Sequence, residues 1–311
     1  MTEHVEYDEF GLFHENAQEY GLPFDQPPVV RRVEADMGDG RHLSALQWKD
    51  AEPELVLLHG GAQNAHTWDT VALALDRPLL AIDLPGHGHS DGPGPRPVAQ
   101  LNATSNATDV ARAVRALAPQ AAAVVGMSLG GLTTIALAAE APELVRKVVL
   151  VDVLPGITGE RAKHITDFVN GPQSFASLDD LLDLTMQFNP TRSPASLRRG
   201  ILHNAEQQSD GTWVWRWARH RPEAPADRSE VSGATQSMYA GLWDAVAGIT
   251  VPFLLARGMR QDSVLGDDDE EELHRRLPSA RVVSFDGAGH SIQGDMPLEL
   301  AALIEEFVFG P

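Results

Sequence analysis

The chain has 311 residues, 43% hydrophobic and 22% charged, the balance of a folded globular protein and not of a disordered or fibrous one. Lys and Arg number 24 against 44 Asp and Glu, and a formal net charge of -20 disfavours nucleic acid and acidic membrane surfaces as partners. The absence of cysteine excludes disulfides, thiolate catalysis and Cys-based zinc or iron–sulfur sites.

The N-terminal residues MTEHVEYDEF contain neither a basic region nor an apolar run, and no segment reaches ~18 consecutive apolar residues, so a cytosolic protein without a membrane span is expected. The first 28 residues show no clear periodicity. Strands are predicted over 29–35 and 42–48, joined by the turn Met37-Gly38-Asp39-Gly40. Short apolar runs then alternate with helical segments. Strands are predicted over 54–58, 78–82, 121–125, 147–151, 251–256 and 281–285, most of them apolar on both faces, as strands between two helical layers must be. The intervening helices fall over 67–75, 98–117, 129–140, 268–277 and 297–309. This rhythm is that of an α/β protein with a mostly parallel sheet.

The alternation stops between 153 and 249, where helices are predicted over 159–169, 178–188, 194–207 and 235–246, with an exposed loop at Arg221-Pro-Glu-Ala-Pro-Ala. The expected organisation is a core of 1–152 and 250–311 carrying an inserted, mainly helical cap of 153–249. Trp213, Trp215 and Trp217 alternate, which in an extended segment puts three indoles on one buried face. Phe168, Phe175, Met186, Phe188, Met238 and Trp243 add apolar bulk from which part of a substrate pocket could be built. The acidic run Asp267 to Glu272 fits a solvated helix start, since carboxylates suit the positive end of a helix dipole. Asn102-Ala-Thr and Asn106-Ala-Thr match the glycosylation triplet and are read as chance matches.

Two glycine-rich segments carry chemistry. Gly126-Met127-Ser128-Leu129-Gly130 follows an apolar strand and opens a helix, the context in which a sharp turn pushes a serine hydroxyl out over the sheet edge. Leu58-His59-Gly60-Gly61-Ala62 ends an earlier strand, and such a loop lets backbone amides approach a developing oxyanion. The expected donors are the amides of Gly61 and of Leu129, the residue after the serine. His290, in the glycine-flexible loop Asp286-Gly287-Ala288-Gly289-His290 at a strand end, is the histidine best placed to reach Ser128.

With LHGG at 58–61, DLPGHGHSD at 83–91, GMSLGG at 126–131 and GAGHS at 287–291 in this order, the chain resembles the α/β-hydrolase superfamily from about residue 29 to its end. The resemblance implies an eight-stranded, mostly parallel sheet and a catalytic triad of Ser128, His290 as general base, and an orienting acid. Two carboxylates follow apolar strands, Asp262 in ARGMRQD and Asp152 in VVLVD. The superfamily most often places its acid after the strand that follows the cap, which favours Asp262 and leaves Asp152 as the alternative. Asp83, His87 and His89 offer metal-ligating atoms, but the resemblance reads their segment as a structural loop, and His59 as a loop-ordering residue.

The resemblance further implies a serine hydrolase acting on a small, largely apolar ester or lactone through an acyl-enzyme, with no cofactor and no metal. Carbon–carbon hydrolysis of a vinylogous diketone, cofactor-free perhydrolysis and non-catalytic small-molecule reception are the other functions of such relatives. Relatives with an aspartate nucleophile are excluded by Ser128. The oligomeric state is not readable from the sequence.

Overall fold

A computed structural model describes residues 4–92, 102–217, 239 and 241–310. Its strands are β1 (Val30–Asp36), β2 (His42–Trp48), β3 (Leu55–Leu58), β4 (Leu79–Ile82), β5 (Ala123–Met127), β6 (Val148–Val151), β7 (Ser174–Phe175), β8 (Ala205–Gln207), β9 (Trp213–Trp215), β10 (Phe253–Gly258) and β11 (Arg281–Phe285). Eight of them form one sheet in the order β1-β2-β4-β3-β5-β6-β10-β11. The β1–β2 hairpin is antiparallel, with Val30 opposite Trp48 and Asp36 opposite His42, and its turn has Gly38 and Gly40 at positive φ. β2 meets β4 antiparallel, and every pairing from β4 to β11 is parallel.

Parallel strands need covered faces because their crossovers are helices. Alternate residues here serve two cores. Val56, Leu58, Leu80, Ile82, Val124, Val148, Leu150 and Leu255 pack on one face with α3 (Ala103–Leu117) and α4 (Leu129–Glu140). Leu55, Leu57, Leu79, Ala81, Val125, Val149, Val151 and Leu254 pack on the other with α2 (Asp69–Leu75) and the C-terminal helix Pro297–Phe309. Asn102 caps α3, its side chain accepting the Ser105 N–H while Ser105 Oγ accepts the Asn102 N–H. Residues 98–101 of that expected helix lie outside the described residues.

The 153–249 segment holds α5 (Lys163–Val169), α6 (Leu178–Phe188), α7 (Pro194–Asn204), α8 (Leu242–Ala247) and a small antiparallel sheet of order β7-β9-β8. The helix expected over 194–207 stops at Asn204 because Ala205 to Gln207 pair with β9. Trp213, Trp215 and Trp217 are all buried in one cluster with Phe175, Leu181 and Ile201. Trp243 packs into the main core. The expected Arg221–Ala226 loop, Met238 and most of 235–240 lie outside the described residues.

Helix α9 (Asp267–Arg276) begins on the acidic run, which is paired as well as solvated. Arg257 holds Asp267 and Glu270, Arg161 holds Asp268 and Asp269, and Asp269 accepts the Gly266 N–H. Among the described residues, no helix is long and apolar enough to cross a membrane.

The N-terminal segment, unassigned by periodicity, forms α1 (Phe13–Tyr20) and ties the 153–249 segment to the sheet. Val5 N–H donates to Gln207, Tyr7 Oη meets His203 Nδ1 at 2.7 Å, and Glu19 binds Ser193 and Arg199. Glu9 reaches Arg32 and, at 3.1 Å, His66 Nε2, while His66 Nδ1 lies 2.9 Å from Asp69. Burial works against charge on His66, but contact and hydrogen bonding with Asp69, then with Glu9, outweigh it and raise its pKa to about 9. Burial likewise opposes the Glu9 carboxylate, yet His66 and Arg32 lower it to about 2.

Two predictions follow from this packing. A Cβ on Gly130 would stand 2.3 Å from the Leu58 carbonyl oxygen, so Gly130→Ala is expected to cost on the order of 3 kcal/mol of unfolding free energy. Denaturant midpoints equal to wild type would refute this. The raised His66 pKa contributes stability that is complete below pH 6.5 and lost as pH rises through about 9. His66→Gln should therefore lower the melting temperature at about pH 6, by the equivalent of about 3 kcal/mol, and the gap to wild type should close above about pH 9. A gap that stays constant across that range would contradict the assignment.

Candidate active site

β5 delivers Ser128 at its C-terminal end, and α4 begins at the next residue. The chain reverses so tightly that Ser128 sits at φ 51° and ψ -119°, a conformation that non-glycine residues adopt only when their surroundings impose it. The surroundings do. A Cβ on Gly126 would meet the Gly130 carbonyl at 2.4 Å, and one on Gly131 would meet Val153 at 2.3 Å. The strained turn is thus locked by close backbone contact, and Ser128 faces a cavity of about 230 Å³.

The loop after β3 lies against the serine: a Cβ on Gly60 would be 3.2 Å from Ser128 Cβ and 2.6 Å from Met127 Sδ. Its amides divide by use. Gly60 N–H donates to Gln63 Oε1 and Ala62 N–H to His87 Nε2, both at 3.1 Å or closer. The Gly61 amide has no acceptor among the described residues, and Leu129, as the first residue of α4, has an N–H that no helical carbonyl can reach. Two free donors therefore flank Ser128.

The loop residues Asp83, His87 and His89, which could have suggested a metal, have other partners. Asp83 accepts from Arg32, Ala65 N–H and His89 N–H, and His59 Nε2 accepts the Leu84 N–H. Burial pushes His59 below its usual pKa. His66, Asp69 and His203 do bring three ligand atoms within 4.8 Å of one another at the cavity wall. Their imidazoles, however, stack at 3.8 Å with planes 9° apart, so the in-plane lone pairs run side by side and do not converge on one ion.

His290 follows β11 and lines the same cavity as Ser128. Its Nδ1 lies 3.0 Å from Asp152 Oδ2. Asp152, fully buried at the end of β6 with φ 47°, also accepts Ser263 Oγ–H at 2.7 Å and the amides of Gly258 and Val264 at 2.8 and 3.1 Å. Four donors on one carboxylate keep it an acceptor, so His290 Nδ1 carries the proton and Nε2 presents its lone pair. Nε2 is buried and has no hydrogen-bond partner among the described residues, Ser128 Oγ included.

The carboxylate that the structure brings to His290 is that of Asp152 and not the expected Asp262. Asp262 binds Arg260 through both oxygens, at 3.1 and 2.8 Å, and is partly exposed. Burial would raise its pKa, but the Arg260 hydrogen bonds hold it below the usual carboxylate value. Asp262 packs against Gly289, one residue from His290, yet makes no bond to the imidazole. The last residue of β10 and the loop after it contribute Ser263 and two amides to the Asp152 cradle instead of a carboxylate. Sequence clues existed: Asp152 ends an unbroken apolar strand, where a carboxylate must find donors, whereas Asp262 has an arginine two residues away.

Phe168, Phe188 and Trp215 line the cavity, Phe175 is buried beside it, and Met186 is exposed. Asn16 and Tyr20 of α1 reach it too, a contribution from the N-terminal segment that no motif in the sequence signals.

The family model for the alpha/beta hydrolase family matches residues 55–303. The esterase Rv0045c of Mycobacterium tuberculosis is 42% identical over 305 residues, covering 96% of this chain and 94% of that protein. A solved structure of the M. tuberculosis esterase superposes with a TM-score of 0.80 at 41% identity, covering 97% and 98% of the two chains. A 2-(acetamidomethylene)succinate hydrolase from Mesorhizobium japonicum is 27% identical over 283 residues, covering 90% of this chain and 95% of the relative. A family match across most of the chain agrees with the sheet order and the strained serine turn, and the chain belongs to the alpha/beta hydrolase family.

Proposed function

We propose that this chain is a serine esterase in which Ser128 is the nucleophile, His290 the general base, and Asp152 the orienting acid. The observation that carries the reading is the Asp152–His290 contact, which aims the free Nε2 lone pair into the cavity that Ser128 enters from its strained turn. The M. tuberculosis relative bears the name esterase, which supports the same reaction class.

In this reading Ser128 Oγ attacks the ester carbonyl while His290 Nε2 takes its proton. The amides of Gly61 and Leu129 donate to the oxyanion, at no reorganisation cost because neither is engaged beforehand. His290 returns the proton to the departing alcohol, and the acyl-enzyme forms. Water, deprotonated by the same imidazole, then releases the acid. Asp152 stays ionised throughout, fixing the tautomer and stabilising the imidazolium. The chemistry uses no cofactor. Residues 153–249 act as a cap over a core of 1–152 and 250–311, with Phe168, Phe188 and Trp215 supplying the wall opposite the sheet. A cavity of about 230 Å³ suits a small ester.

A fluorophosphonate should label Ser128 in the wild type and nothing in Ser128→Ala, as read by mass spectrometry, and short-chain p-nitrophenyl ester hydrolysis should vanish with the label. Folded wild-type protein that neither labels nor turns over any ester would refute the reading. Asp152→Asn should lower kcat by about 10³–10⁴ and Asp262→Asn by less than about threefold, both checked for native circular dichroism. The reverse ranking would return the acid to Asp262.

A further inference from the structure

Among the described residues, every arginine that lines the cavity is paired with a carboxylate except Arg192. Arg199 binds Glu15 and Glu19, and Arg260 binds Asp262 and Asp295. Elsewhere, the buried or part-buried Arg32, Arg41 and Arg257 hold Asp83, Asp109 and Asp267. Arg192, in the connection between α6 and α7, makes one side-chain hydrogen bond among the described residues, from Nη2 to Ser196 Oγ at 2.6 Å. Its Nε is buried without an acceptor. Its Nη1 lies against Gly294, where a Cβ would be 2.7 Å away, four residues beyond His290.

The nearest acids are committed. Glu19 is held by Ser193 and Arg199, and Asp295 accepts the Gly289 N–H and sits 3.5 Å from Arg260. Tyr20 Oη donates to the Gly294 carbonyl and receives no hydrogen bond from Arg192. Burial pulls the Arg192 guanidinium below its usual pKa, the sign of a charge without full compensation. A guanidinium has five N–H donors in a fork that fits a carboxylate in two parallel bonds. A half-buried fork with unused donors, in a chain of net charge -20 rich in acids that could have paired with it, is reserved space.

We propose that Arg192 is a substrate-recognition residue and that the preferred esters carry a free carboxylate, as half-esters of dicarboxylic acids do. This rests on the esterase reading and narrows its substrate class. The carboxylate docks on the Arg192 fork beside Gly294, on the His290 side of the cavity, while the ester carbonyl reaches Ser128. The apolar wall of Phe168, Phe188 and Trp215 covers the chain between them.

The test compares kcat/KM for monoethyl esters of succinate, glutarate, adipate and pimelate with that for the same esters bearing a terminal carboxamide in place of the carboxylate. A parallel series puts the carboxylate on the alcohol half. Wild type should favour the carboxylate in at least one series by tenfold or more, about the effect of a charge-assisted bidentate contact. Arg192→Met should bring the ratio close to one. Arg192→Lys should keep part of it, because the charge remains and the fork is lost. Arg198→Met, exposed on α7, should leave the ratio as in wild type. No preference in wild type in either series, or a preference that survives in Arg192→Met, overturns the proposal. Should no ester turn over and Ser128 remain unlabelled, the esterase reading fails separately. Calorimetry with the free dicarboxylates then still decides the anion site: heat of binding to Ser128→Ala, absent in the Ser128→Ala, Arg192→Met double variant, upholds it, and no heat in Ser128→Ala overturns it.

Discussion

The active site depends on one close approach, that of the first turn of α4 to the end of β3. Gly130 touches the Leu58 and His59 carbonyls so closely that a Cβ there would lie 2.3 and 2.6 Å from them. This contact fixes where α4 starts, which forces Ser128 to positive φ and turns its side chain into the cavity. It also sets the Gly60–Gly61 loop against the serine, so the proposed nucleophile and the proposed oxyanion donors are held by one constraint. Interiors packed at crystal-like density resist small displacements, and catalytic geometry placed on such a contact is held to tenths of an ångström.

The proposed acid is held by a different device. Asp152 directly follows β6, a neighbour of the serine strand, and receives donors from the last residue of β10, from the loop after it and from His290 after β11. Three adjacent parallel strands thus converge on one carboxylate at their C-terminal ends. A buried ion with four donors recovers much of the hydration it gave up, and its orientation is overdetermined. An imidazole bonded to such a group has little freedom to flip or change tautomer.

The N-terminal segment explains how an acidic chain holds its upper region onto the sheet. Glu9, Glu15 and Glu19 engage Arg32, His66 and Arg199, while Tyr7 meets His203. The carboxylates that would repel one another in an unfolded chain become cross-links between α7, β1 and the stretch before α2. Arg192, which lines the same cavity, is left out of this pairing.

Much of the architecture was legible in the chain. Apolar runs of four to six residues between helical stretches gave the sheet, and helices 129–140, 178–188 and 297–309 were delimited to the residue. Ser128 and His290, which the structure brings to one cavity, stand out in the sequence because their turns require glycines at fixed offsets, a local constraint that sequence records directly. Gly61 and Leu129 are candidate donors read from the same loops. α1 was missed because its buried face is only Phe13 and Ala17, too few to print a period, and β7 to β9 because strands of two or three residues carry none. The choice between Asp152 and Asp262 was a tertiary matter: both follow apolar strands, and what separates them is which loop supplies donors and which supplies Arg260, set by how strands 106 residues apart in sequence come together. An unpaired guanidinium at Arg192 was equally invisible, since pairing is a property of neighbours in space. Local backbone demands were written in the sequence; the partners of each buried charge were decided only by the fold.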